Sequence, residues 1–209
     1  FQDCSSLATI GTGVLLGTAS SNVNFISAFR TTALTALPAG LDMSQGSLFN
    51  ATFRDCTSLA TIGTGVLLGT ANETATVNYA DTFNGCTNLT ALPAGLDLSQ
   101  GSDFNNAFNG CSSLTTIGTG VLLGTASTSV NFTQAFNGCT NLVTLPANLN
   151  LSKGDDFVDA FRDCSSLVTL KPVASWHLPL VQRSPLPITQ PPERHSMTLC
   201  HPSLRVAGT

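Results

Sequence analysis

Residues 135–146 read Ala-Phe-Asn-Gly-Cys-Thr-Asn-Leu-Val-Thr-Leu-Pro, and residues 82–93 read Thr-Phe-Asn-Gly-Cys-Thr-Asn-Leu-Thr-Ala-Leu-Pro. The same pattern runs through most of the chain. Phenylalanine recurs at Phe1, Phe29, Phe53, Phe83, Phe108, Phe136 and Phe161, with gaps of 28, 24, 30, 25, 28 and 25, so long and short units alternate. Three residues after most of these stands a cysteine: Cys4, Cys56, Cys86, Cys111, Cys139 and Cys164. In the second unit Thr32 takes that place, and the unit is one residue shorter before its Leu. A Leu follows, and three residues later an Ile or Leu, as in Leu114 and Ile117. A sustained period of this length is the signature of a solenoid, whose units bury their apolar faces only by stacking.

Each unit also carries an aromatic residue four before its main Phe: Phe25, Phe49, Tyr79, Phe104, Phe132 and Phe157. An i, i+4 pair with a small residue between fits one face of a helix. Asn24, Asn78, Asp103, Asn131 and Asp156 directly precede the first aromatic, where N-caps belong. Gly85, Gly110 and Gly138 follow the second aromatic by two, at the place of a left-handed C-cap, and Asp3, Asp55 and Asp163 replace them in other units. The spacing predicts a helix of two or three turns per unit. The remainder is extended: Leu-Pro-Ala-Gly-Leu-Asp-Leu-Ser (92–99) in short units and Gly-Thr-Gly-Val-Leu-Leu-Gly-Thr (63–70) in long ones. The expected architecture is an α/β repeat solenoid of about seven coils over residues 1–170, each with short parallel strands and a short helix. At about 4.8 Å per coil it would form a rod or shallow arc of roughly 30 Å.

This pattern resembles the BspA-like leucine-rich repeats of bacterial, protist and phage surface proteins. The resemblance covers residues 1–170 and rests on six recurrences of Phe-x-x-Cys-x-x-Leu-x-x-Ile/Leu. It implies a leucine-rich-repeat-like solenoid used for attachment to host proteins or cells. The alternating long and short units and the Gly-Thr-Gly-Val-Leu-Leu-Gly-Thr segment depart from the usual pattern of that family.

Composition narrows the function. Only 10% of the 209 residues are charged, against roughly 25% in an average globular domain, and Ser, Thr, Asn and Gly take their place. Residues 1–170 carry four basic residues against eleven acidic, a net charge of −7, and residues 171–209 a net charge of +3. No basic stripe of the kind that neutralises phosphates is present, so no nucleic-acid partner is expected. No apolar run approaches the roughly 18 residues of a membrane span, so no membrane insertion is expected in this segment. An extracellular, cell-surface or virion-surface location is expected, with the signal or anchor in other parts of a longer protein. All three histidines, His177, His195 and His201, lie beyond residue 170, so residues 1–170 offer no Ser-His or Cys-His pair. No enzyme, catalytic residue, cofactor or metal site is expected. His195, Cys200 and His201 have no rigid frame around them, and Asp155, Asp156 and Asp159 read as caps and a solvated face.

Six cysteines at one repeat position read as a buried thiol ladder, because side chains stacked in parallel are poorly aimed for the torsion of a disulfide. Inter-coil disulfides such as Cys111 to Cys139 are the alternative. The glycines at 63, 65 and 69 resemble a dinucleotide fingerprint, but they recur from Gly11 and Gly118 as part of the repeat and read as turn residues. Asn-x-Ser/Thr sequons stand at Asn50, Asn72, Asn88 and Asn131. The loop before the aromatic pair of each long unit varies most between copies, which makes Ser21, Asn22, Asn72, Glu73, Thr74, Thr128 and Ser129 candidate recognition residues. Residues 171–209 lose the repeat and hold seven of the ten prolines; a cap, a linker and a sequence artefact are all compatible with them.

Two functions fit. The first is a recognition or adhesion scaffold that binds a host-surface protein or glycan through its repeat surface. The second is a structural spacer or fibre segment, on a cell surface or phage tail, that self-associates through open solenoid ends.

Overall fold

Each unit of the repeat makes one turn of a parallel β-solenoid in the computed structural model, which describes residues 1–18, 20–70 and 76–168. Its strands are two or three residues long. They are, in chain order, β1 (Val23–Asn24), β2 (Ala36–Leu37), β3 (Asp42–Met43), β4 (Gly46–Leu48), β5 (Thr61–Ile62), β6 (Leu67–Leu68) and β7 (Val77–Asn78). There follow β8 (Ala91–Leu92), β9 (Asp97–Leu98), β10 (Gly101–Asp103), β11 (Thr116–Ile117), β12 (Leu122–Leu123), β13 (Val130–Asn131) and β14 (Gly154–Asp156).

Every pairing is parallel and joins one coil to the next. The largest sheet runs β1-β4-β7-β10-β13-β14. A second side pairs β2 with β5 and β8 with β11, and a third pairs β3 with β6 and β9 with β12. Six strands in the first sheet are separated by five turns of chain, so the described stack has about five turns rather than seven coils. Counting phenylalanines overstates the number, because the unit that begins at Phe161 reaches no strand before residue 168. Long and short units align as the sequence suggested: Ile117 pairs with Leu92 and Leu123 with Leu98. The extra length of long units is absorbed at one corner, between the third side and the first sheet.

The expected short helix is not formed; none of the described residues is helical. The backbone around the aromatic pair shows why. In one coil, the amides of Phe49, Ala51, Phe53 and Asp55 donate to the carbonyls of Asn78, Ala80, Thr82 and Asn84 in the next coil, at 2.8–2.9 Å. Between them, Thr52, Arg54 and Cys56 donate three residues back, to Phe49, Ala51 and Phe53, at 3.0–3.2 Å. The segment is therefore a run of tight turns whose alternate amides point along the stack. A helix would use every amide internally and leave none for the neighbouring coil. This alternation needs two left-handed residues per coil, four apart, such as Ala51 (φ 54°) and Asp55 (φ 58°), or Asn106 (φ 54°) and Gly110 (φ 71°). The residues read as N-caps form Asx turns instead: the Asn78 side chain accepts from Ala80 N at 2.8 Å and Asn131 from Thr133 N at 2.9 Å.

The core is one continuous column. In the coil around Phe108, buried Phe104, Ala107, Phe108, Cys111, Leu114, Ile117, Val121, Leu123 and Val130 line the inside in order. The Gly-Thr-Gly segment is a stacking device rather than a phosphate loop. A Cβ on Gly118 would lie 2.5 Å from the Ala94 nitrogen of the coil below. Gly118→Ala is therefore expected to cost about 1–3 kcal/mol by overpacking. Gly95→Ala, which meets nothing within 4 Å, should show only the roughly 1–2 kcal/mol strain of a left-handed residue. Urea unfolding of the two variants measures the difference, and far-ultraviolet circular dichroism of the parent should show a β-type spectrum without the helical double minimum.

Candidate functional site

Two aromatic columns run the length of the stack. Phe1, Phe29, Phe53, Phe83, Phe108, Phe136 and Phe161 form one, with ring centroids 5.1–5.5 Å apart and planes within 13°. Phe25, Phe49, Tyr79, Phe104, Phe132 and Phe157 form the other, at 5.2–5.5 Å. Such separations lie in the favourable range for offset-stacked rings. Tyr79 keeps its hydroxyl satisfied inside the core by donating to the Leu68 carbonyl at 2.6 Å, and burial pushes its pKa far up.

The cysteines stand beside the first column. Cys56, Cys86, Cys111, Cys139 and Cys164 are buried, and Cys4 is exposed at the end of the described stack. Cys56, Cys86, Cys111 and Cys139 are thiols, not half-cystines. Each buried Sγ donates to the carbonyl of the phenylalanine one coil earlier: Cys56 to Phe29, Cys86 to Phe53, Cys111 to Phe83, Cys139 to Phe108 and Cys164 to Phe136, at 3.0–3.3 Å. Thr32 holds the same position and donates to its own Phe29 carbonyl at 2.9 Å. Burial raises the pKa of Cys56 and raises those of Cys86, Cys111 and Cys139 well above the ordinary thiol range. A protonated, enclosed thiol is neither a nucleophile nor a metal ligand. Among the described residues no group of three His, Cys, Asp or Glu stands together to hold a metal ion. The ladder is thus structural: its thiols satisfy carbonyls that face the core.

On the outside of the coils, too, side chains repeat in columns. The aromatic turns carry paired charges, with Arg54 Nε 3.5 Å from Asp55 and Arg54 Nη1 3.9 Å from Asp81 of the next coil. At the other end Arg162 pairs with Asp159 at 3.4 Å and Asp163 at 3.7 Å. Between these ends lie amides: Asn109 donates to Asn106 at 2.7 Å. The first sheet ends in an Asx column in which the Asp103 carboxylate accepts from Asn78 at 3.4 Å and Asn131 at 3.2 Å. The candidate loop residues Ser21, Asn22, Thr128 and Ser129 are exposed on the long-unit corner, where Ser129 bonds Asp155. Asn72, Glu73 and Thr74, like the non-repeat segment 171–209, lie outside the described residues.

The second side differs from all of these. Residues 5–12, 33–39, 57–64, 87–94, 112–119 and 140–147 contain no charged side chain, and their thirteen threonines are all exposed. The loop-centred reading of the sequence passed over this side, because variation between copies draws attention and uniformity does not. The signal that finds it is the invariance of Ser or Thr after the cysteine in long units and in most short ones, together with the missing charge. Comparison with family models, curated proteins and solved structures yields no match for the chain.

The two ladders make sharp predictions. Phe108→Ala removes a ring stacked on both sides, and is expected to cost about 3–5 kcal/mol in urea unfolding. Cys86, Cys111 and Cys139 should resist a disulfide-exchange reagent until the chain unfolds, while Cys4 reacts at once. Because the folded thiols bind protons more tightly than the unfolded ones, their contribution is full at neutral pH. It falls as pH rises above the ordinary thiol value of about 8.5, since the unfolded chain ionises first. A pH series of urea midpoints checks this decline, and Cys→Ala substitutions along the ladder should flatten it.

Proposed function

We propose that this chain is an extracellular recognition or adhesion scaffold that binds a protein or glycan through its repeat surface. On this reading it is akin to the BspA-like surface proteins its repeat resembles. The single observation that carries the reading is the division of labour in each coil: most aromatic rings and five of the ladder cysteines are enclosed in columns, and the outside is a regular, mostly uncharged array of hydroxyls and amides broken by single apolar side chains such as Ile26 and Val143. Such a surface offers many weak, equivalent contacts spread over a rigid length, which suits multivalent attachment better than chemistry on one bond. The absence of histidine from residues 1–170 agrees with a non-catalytic role. The low charge agrees with a surface exposed outside the cell.

The test is direct. The full chain, fluorescently labelled, is applied to arrays of host-surface proteins and glycans. Saturable binding to a defined set, weakened at least tenfold by removing the repeat units, is expected. Binding to none of them overturns the reading.

A further inference from the structure

We propose that the charge-free second side of the solenoid binds an extended, uncharged β-linked polysaccharide lying parallel to the stack axis, about one sugar per coil. This rests on the recognition reading above and names its ligand class and its face.

Charge comes first. Every charged side chain of the described residues falls on another part of the coil: the aromatic turns, the third side or the first sheet and its approach. A charged ligand on the second side would lose water without gaining a counter-charge. The ligand is therefore neutral.

The chemistry of the face comes second. An exposed threonine offers a methyl and a hydroxyl side by side, and a sugar ring offers C–H and O–H groups in the same mixture. The hydroxyls of this face are also only loosely engaged. Thr90 reaches the Ala60 carbonyl at 3.2 Å, Thr115 reaches the Thr90 carbonyl at 3.1 Å and Thr140 reaches the Ser112 carbonyl at 3.3 Å. These are long for O–H···O bonds, so a ligand hydroxyl can replace them at little cost.

Periodicity comes third. Coils recur at the roughly 4.8 Å spacing of parallel strands. That is close to the rise of one pyranose in an extended β-linked chain, so successive sugars meet Thr90 and Thr115 in adjacent coils, while in the next column Thr61 and Thr116 alternate with Ala36 and Ala91 and recur at every second sugar. An irregular protein surface would have no such match. The backbone here is also already paired between coils, as in Thr115 N to Thr90 O at 2.9 Å, so the face is not an edge that could accept a peptide strand.

Isothermal titration of the full chain with cello- and xylo-oligosaccharides of two to six units tests the proposal, with polygalacturonate as the anionic counterpart. Affinity is expected to rise with each added sugar, to vary little with salt, and to be absent for polygalacturonate. Thr90→Glu and Thr115→Glu should each weaken binding at least tenfold, with Thr90→Val and Thr115→Val weakening it less. Asn109→Asp, on the aromatic turn, should leave it unchanged. Unaltered thermal melting of the variants shows that the fold is intact. No binding to either oligosaccharide series, preference for polygalacturonate, or ordering of ice by the same face would overturn the proposal. If the array experiment captures a partner that the Thr90 and Thr115 variants bind equally well, the face is wrong while the recognition reading stands.

Discussion

The structure depends on one constraint: the backbone of the aromatic turn must serve two coils at once. Alternate amides close turns within the coil, and the others bond the next coil at 2.8–2.9 Å. Everything beside this segment is then set at strand spacing. Rings must stack at a little over 5 Å, and whatever lies under them must be small. The turns also leave phenylalanine carbonyls facing the core, with capacity for a second donor. The Phe53 carbonyl accepts Cys56 N at 3.2 Å and Cys86 Sγ at 3.1 Å. A buried carbonyl needs a donor that costs little to enclose, and a thiol supplies one with almost no polar surface. Threonine does the same beneath the second column, where the Thr82 hydroxyl lies 2.9 Å from the Phe49 carbonyl and 2.7 Å from the Tyr79 carbonyl.

This explains what the sequence let one read and what it concealed. The period, the parallel strands, the buried thiols and the register of long on short units were legible, because each rests on which residues are apolar and how far apart they stand. The helix was a misreading with a definite cause. Phe104 and Phe108 lie four apart, as on a helix face, but two successive tight turns bring them to the same side. Asn and Asp serve an Asx turn as well as an N-cap, since both use the same side-chain oxygen to accept a nearby amide. Gly110 is left-handed, as a C-cap would be, but so is Asn106 four residues earlier. The residues at that earlier position are Ser27, Ala51, Asp81, Asn106, Gln134 and Asp159, and only some of these types favour such a conformation. A sequence does not announce a left-handed alanine. It is imposed by the hydrogen bonds to the neighbouring coil.

The neutrality of the second side does not follow from the stack itself. A column of identical side chains one coil apart would repel if charged alike, but the solenoid has an answer to that, visible on the aromatic turns. There Arg54 stands between Asp55 and Asp81, and at the end of the first sheet Asp103 stands between two amides, so that each charge meets an opposite or hydrogen-bonding neighbour. Surface pairs of this kind add at most about 1 kcal/mol each, but they make charge tolerable in a column. Nothing in the geometry of the second side prevents the same arrangement, since its thirteen threonines are all exposed, as Arg162 of the turns is. Folding explains why the interior repeats. It does not explain why one exterior side, through coil after coil, excludes a solution that the adjacent side uses. That exclusion is a property of the surface alone, and a partner that tolerates no charge is the simplest physical reason for it.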